Sequence, residues 1–214
     1  RSKLFLYSSA IKKFYELSKF ENIHLYLFEY NFGFFLTNEF RKYNSEITGY
    51  QHGVFSKNLM WLDVISKQKK FFLPDLIISN HFRSYNLYKK KLTINSENIS
   101  LNQRQVSQLS KKIIIANKKT MVKKFLFLAG THDIKDIYLY VKNKFLNKKN
   151  IYIYIKAHPK SKFIFRNLMN IKKIDSFKTM NFDKIFISPT STMQYDFDIL
   201  KKKYTKFNVG YKFL

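Results

Sequence analysis

Ile151-Tyr152-Ile153-Tyr154-Ile155-Lys156-Ala157-His158-Pro159 decides how this chain reads. Five β-branched and aromatic residues make an apolar run of strand length. A cation, an imidazole and a proline then end it, and proline has no N–H to give to a ladder. The run reads as a strand of a parallel sheet. In open α/β sheets ligands bind outside the carboxyl ends of the strands. Lys156 and His158 therefore read as groups for an anionic, phosphorylated ligand, with a surface loop carrying a lone histidine as the plain alternative.

The same alternation extends outward on both sides. C-terminal to this run, residues 161–169 read as a helix, 184–187 as a strand, 191–200 as a helix and 204–209 as the last strand. N-terminal to it, 124–128 reads as a strand and 133–145 as a helix capped by Thr131 or Asp133. Further back, helices are expected over 2–19, 34–43 and 80–90, the last capped by Ser79 or Asn80, with strands over 23–28, 46–51 and 76–78. Strand–helix alternation of this kind implies parallel βαβ units. Polarity rises and periodicity weakens over residues 95–117, which places the connection between two α/β domains there, with the division set at 1–110 and 111–214. The second half reads as a nearly complete Rossmann-like unit and the first as the trailing part of another.

A chain of 214 residues that is 45% apolar and 18% aromatic has the material for a globular core. It begins with Arg1 inside a helical stretch, which reads as a fragment of a longer protein. No apolar run approaches the roughly 20 residues of a membrane-spanning helix, and no signal peptide is visible. Cysteine is absent, which excludes disulfide scaffolds and Cys-based zinc sites and is compatible with cytoplasm. The net charge of +26 comes from 40 basic against 14 acidic residues. The lysines are scattered together with Asn, Ile, Phe and Tyr, as an AT-biased coding sequence would give. A solvated basic surface attracted to anionic lipid headgroups fits this pattern better than a nucleic-acid protein.

Three further groups carry chemistry. Ser188-Pro189-Thr190-Ser191-Thr192 follows the apolar run Ile185-Phe186-Ile187 and precedes a helix. An N-cap needs one hydroxyl, whereas this loop has four, so it reads as an anion site at a helix N-terminus. Gly49-Tyr50-Gln51-His52-Gly53 brackets an amide and an imidazole with two glycines after a strand, as for close backbone approach to a ligand. Glu29 closes another apolar run, as either a general base or a solvated carboxylate. Gly130-Thr131-His132-Asp133 reads as helix capping. There is no Walker A sequence, no Gly-x-Gly-x-x-Gly, and no metal-ligand spacing among the five histidines.

In order and spacing these groups resemble bacterial surface-carbohydrate biosynthesis proteins of the GT-B type, related to the sialyltransferase, Kdo-transferase and CDP-glycerol glycerophosphotransferase families. The resemblance rests on Phe28-Glu29-Tyr30, Gly49 to His52 followed by Val54-Phe55-Ser56, Pro74-Asp75-Leu76-Ile77, Lys156 to Pro159, and Ser188 to Thr192. It implies two Rossmann-like domains, the N-terminal one truncated and on the acceptor side, the C-terminal one binding nucleotide. It further implies transfer of a sugar or glycerophosphate from a CMP- or CDP-linked donor to a glycan or lipid-linked glycan acceptor. The activated sugar would be a co-substrate, with no metal and no resident cofactor, at the cytoplasmic face of the inner membrane. Carried over, Glu29 and His158 are the catalytic pair. Lys156, His158, Pro159, Ser188, Thr190, Ser191 and Thr192 hold the donor, and Gln51, His52 and Gly53 line the cleft. Relatives carry a Glu in the helix after the Ser/Thr loop and a Gly-x-Pro turn beyond it. Here Met193-Gln194-Tyr195-Asp196-Phe197-Asp198 and lysines stand instead, which argues against a ribose contact from Asp196. The competing expectation is a non-catalytic, degenerate Rossmann-like module that binds anionic membrane or polysaccharide through its basic surface.

Overall fold

The computed structural model describes residues 2–53, 61–92, 94–116, 120–174 and 180–209. The chain divides into two compact units, Arg1–Arg104 and Gln105–Leu214.

The first unit runs α1 (Ser2–Ser18), β1 (Asn22–Tyr26), α2 (Asn31–Arg41), β2 (Glu46–Tyr50), α3 (Trp61–Ser66), β3 (Leu76–Ser79), α4 (Phe82–Lys91) and β4 (Ile99–Leu101). Its four strands lie in sequence order, β1-β2-β3-β4, and every pair is parallel. Ile47 and Ile77 point to one face and pack with Phe28, Ile65, Leu73 and Tyr88 in a single core. Gly49 is a packing requirement: a Cβ there would sit 2.5 Å from Pro74 Cγ and 2.7 Å from Phe28 Cδ1. That corrects the expectation that this glycine admits a ligand.

The second unit runs α5 (Gln108–Lys112), β5 (Ile113–Ile115), β6 (Lys123–Leu128), α6 (Ile134–Phe145), β7 (Ile151–Lys156), β8 (Ile171–Lys173), β9 (Met180–Phe182), β10 (Lys184–Ile187), α7 (Met193–Ile199) and β11 (Thr205–Lys206). The main sheet is parallel, in the order β11-β10-β6-β7-β8, and β5 pairs with β9 in a small parallel ladder. Both faces are packed. Leu126 and Leu128 enter a core with Ile185, Ile187 and Phe197, while Phe127 enters another with Ile137, Val141, Ile153 and Ile155. This is why the central strand is a continuous apolar run and not an alternating one. The sequence division at 110 falls inside α5, and α5 is tied within the second unit: Ser110 Oγ donates to Asp196 Oδ2 at 2.7 Å.

Several local expectations are corrected. Residues 161–169 form no helix. Phe163 and Phe165 turn inward while Ile164 is 84% exposed. This two-residue period stacks the two phenylalanines beside Tyr138. The cap of α4 is His81, whose Nδ1 accepts from the Arg83 N–H, because Ser79 and Asn80 are committed to Gln51. Asp133 is the N-cap of α6, not Thr131, and its carboxylate makes no bond to the helix N–H groups. The strand expected over 204–209 is only Thr205–Lys206. The described residues contain no helix long and apolar enough to cross a membrane.

Candidate functional site

The second unit's sheet fixes where a site can form. From β6 the chain moves outward to β7 and β8, then returns to place β10 on the other side of β6. The strand order therefore reverses between β6 and β10, and the crevice beyond their carboxyl ends is the topological switch point. The loops leaving these two strands are joined there. Ser188 N–H donates to Leu128 O at 2.9 Å, and Ala129 N–H to Lys156 O at 3.0 Å.

Asp133 is the hub of this crevice. It is 2% exposed. Its Oδ1 accepts from the Gly130 N–H at 2.8 Å, and its Oδ2 accepts from the Ser188 hydroxyl and from Thr190 Oγ1 at 3.5 Å. Ser188 Oγ also lies 2.9 Å from Thr190 Oγ1 and accepts from the Thr190 N–H at 3.1 Å. Gly130 is required by this closeness, since a Cβ there would fall on Thr190 Oγ1. The capping expected of Gly130 to Asp133 does not account for the carboxylate that organises the loop. The available signal was a Gly-x-x-Asp placed directly after a strand.

Of the hydroxyls assigned to phosphate, Ser188 and Ser191 are buried. Ser188 gives its hydroxyl to Asp133, and Ser191 Oγ accepts from the Met193 N–H at 3.4 Å. Thr190 and Thr192 are half-buried. Thr192 is the N-cap of α7 and makes no side-chain cap bond.

Lys156 and His158 are half-buried and Pro159 is exposed at the end of β7, the strand paired to β6 on its other side. His158 Nδ1 accepts from the Lys160 N–H at 3.1 Å, so the neutral ring carries its proton on Nε2. Desolvation lowers the His158 pKa, the charges of Lys160 and His132 lower it further, and Asp133 opposes them. The ring is thus a neutral N–H donor at Nε2, suited to bonding an anionic oxygen. Asp196 is buried, and its Oδ2 accepts from the Ser107 N–H and Ser110 hydroxyl.

In the first unit, β1 ends at Tyr26 and Leu27 takes a left-handed φ of 65°, a strained conformation for leucine. The turn sends Glu29 inward. It is 4% exposed and burial pushes its pKa up to about 7, against smaller lowering effects from its own backbone N–H, the His52 N–H and the Tyr88 hydroxyl. It is therefore not the solvated carboxylate of the alternative reading.

Gln51 has no capacity left for a ligand. Its Nε2 donates to Gly53 O at 2.6 Å and Ser84 Oγ at 2.8 Å. Its Oε1 accepts from Ser79 Oγ at 2.8 Å and the Asn80 N–H at 3.1 Å. All four positions of the amide are filled, so Gln51 is a structural bracket between β2, β3 and α4. His52 is exposed and Gly53 half-buried. Val54, Phe55 and Ser56 lie outside the described residues.

Cavities among the described residues also lie elsewhere. One of about 340 Å³ is walled by Arg41, Lys70, Phe71 and Asp75, and one of about 430 Å³ by Leu146, Lys148, Tyr152 and Asn170. Neither is lined by a residue assigned above to catalysis, donor binding or the cleft. No cluster of three or more metal-capable side chains occurs among the described residues.

No family model matches the chain, and no curated protein matches it. Among solved structures it is similar to a UDP-N-acetylglucosamine 2-epimerase from Rickettsia bellii, with a TM-score of 0.53 and 13% identity over 95% of this chain. It spans 60% of that protein's length. A glycosyltransferase from Rickettsia africae matches with a TM-score of 0.48 and 10% identity, over 86% of this chain and 55% of the other. The fold is of the GT-B type: two Rossmann-like α/β units. The likeness to the epimerase is one of fold alone.

Proposed function

We propose that the chain is a glycosyltransferase-like protein of surface polysaccharide biosynthesis that binds a nucleotide-activated sugar through its second unit. The supporting observation is that Lys156, His158 and the Thr190–Thr192 loop all sit at the carboxyl ends of β7 and β10, flanking the switch point of a parallel sheet. In this reading Lys156 and the His158 Nε2–H neutralise donor phosphate, with Pro159 shaping the turn. Thr190 and Thr192 supply hydroxyl and N–H contacts, while Ser188 and Ser191 hold the loop in shape. Unit 1 takes the acceptor, a glycan or lipid-linked glycan, and Glu29 is the base. The acceptor oxygen bonds to the anomeric carbon as the bond from that carbon to the phosphate oxygen breaks. The nucleotide leaves with the electron pair, and the acceptor proton passes to Glu29. No metal enters this reading, since cationic and N–H donors at the strand ends offset the phosphate charge. The fold likeness to a protein named for UDP-N-acetylglucosamine makes UDP a donor nucleotide to test beside CMP and CDP.

Calorimetry with CMP, CDP and UDP tests the donor site. We expect one of the three to bind, and His158→Ala to weaken it about tenfold or more, the worth of one hydrogen bond to a charged group. Unchanged affinity in His158→Ala rejects the assignment.

A second reading is favoured by the capture of the Ser188 hydroxyl and the Gly130 N–H by Asp133, which removes donors that phosphate would use. In it the chain is a non-catalytic module that binds anionic membrane or polysaccharide through its +26 surface. Binding to any polyanion that falls steeply with salt, without nucleotide preference, supports that reading over the first.

A further inference from the structure

The proton traffic of Glu29 is written into its surroundings. Both hydrogen bonds from its neighbours fall on one oxygen: Oε1 accepts from the His52 N–H at 3.2 Å and from the Tyr88 hydroxyl at 3.4 Å. Oε2 is buried and has no hydrogen-bond partner among the described residues. No cation pairs with this carboxylate among those residues either. Its own backbone N–H also favours the charge; a carboxyl group whose neighbouring donors sit on one oxygen takes its proton on the other.

We propose that Tyr88 is a positioning residue for Glu29: its hydroxyl, with the His52 amide, fixes Oε1 and leaves Oε2 as the oxygen that gains and loses the proton. This rests on the reading of Glu29 as the base for an acceptor hydroxyl and specifies which oxygen serves. Tyr88 suits the task because its side chain is packed in the core. It is fully buried, and its ring lies against Phe28 with centroids 6.4 Å apart. Phe28 directly precedes Glu29, so one aromatic contact registers α4 against the turn that carries the carboxyl. Among the described residues the titratable groups facing Glu29 are two phenols, Tyr88 on α4 and Tyr30 at the start of α2. The Tyr30 pKa is raised by its own burial and then by the Glu29 charge. Among the described residues of the loop after β2 it meets the backbone N–H of His52, whose ring is exposed.

The sign follows from the geometry. The Tyr88 hydroxyl donates to the charged carboxylate, so removing it disfavours the charge and raises the midpoint.

The test is infrared difference titration of the protonated carboxyl C=O band, assigned by its absence in Glu29→Gln. In the unsubstituted protein the band should titrate near pH 7. Tyr88→Phe keeps the buried ring and should move the midpoint up by about half a pH unit, as a long bond to a charged group would give. Site-specific 3-fluorotyrosine at position 88, a stronger donor, should move it down. An unchanged midpoint in either variant overturns the positioning role, and so does a band that titrates in the ordinary carboxylate range. The titration needs no acceptor or donor. Glycosyl transfer unaffected by Glu29→Gln would reject the base reading while the titration result stands.

Discussion

Replacing Gly130 by alanine should weaken the second unit through one identifiable collision. The new Cβ would land on Thr190 Oγ1, with Thr190 Cβ at 3.0 Å and Ser188 Oγ at 3.2 Å. Thr190 has no easy retreat, because its Oγ1 is engaged with Ser188 Oγ at 2.9 Å and reaches Asp133 Oδ2 at 3.5 Å. Relief requires either turning Thr190 away from these partners or parting the loops after β6 and β10. Overpacking of this kind costs about 1–3 kcal/mol, and loss of a bond in the Asp133 cluster adds about 1 kcal/mol. Taking about 2 kcal/mol, amides of Leu126–Leu128 and Ile185–Ile187 that exchange through global opening should exchange about 30-fold faster. Hydrogen exchange read by mass spectrometry reports each unit separately. In a Thr190→Ala background Oγ1 is gone and most of the collision with it. The same glycine substitution should then cost less than about 1 kcal/mol, a coupling of about 1–2 kcal/mol. Equal losses in both backgrounds, or unchanged exchange in Gly130→Ala, would refute the claim that Gly130 is there for Thr190.

Two other outcomes are expected from the first unit. Glu29 has a pKa near 7 in the folded chain and 4.5 as its reference. The folded state therefore holds the extra proton between these values, and the protonated acid's contribution, full below pH 4.5, is lost as pH rises through about 7. The amount is about 3 kcal/mol, and Glu29→Gln should flatten that slope in urea titrations at pH 5 and pH 8; a parallel slope would contradict it. Gln51→Leu should cost about 2–4 kcal/mol, because the Asn80 N–H, the Ser79 and Ser84 hydroxyls and Gly53 O lose partners. Thermal unfolding would register this, and a variant as stable as the parent would show that water replaces the amide.

What could be read from the chain was whatever is local. The apolar runs ending at Leu128, Ile155 and Ile187 mark strands because each is long enough to show its character, and the helices over 2–18 and 134–145 carry their own period. The three-residue strands β4, β5, β8 and β9 are too short to display one. Residues 161–169 misled because their apolar positions suit a helix by count, while the packing of Phe163 and Phe165 on Tyr138 imposes a period of two. At the site, Lys156 and His158 were legible since strand, cation and imidazole are adjacent in sequence. The role of Asp133 was not, for its partner Ser188 lies 55 residues away. The bracketing role of Gln51 was hidden for the same reason: Ser79 and Ser84, which occupy its amide, are 28 and 33 residues downstream.

The strand orders also give the two units different folding problems. In the first, each strand pairs with its sequence neighbour, so the sheet can grow by short steps, each closing a modest loop. In the second, β10 must find β6 after β7 and β8 have formed in between, a long-range contact that raises contact order and slows the search. The crevice between β6 and β10 does not exist until that pairing is made. A nascent chain that has emerged only through β8 would hold a three-stranded sheet with Lys156 and His158 in place and no loop opposite them. Ligand binding at this crevice would then report that β10 has docked, and it would stabilise the pairing of β10 with β6.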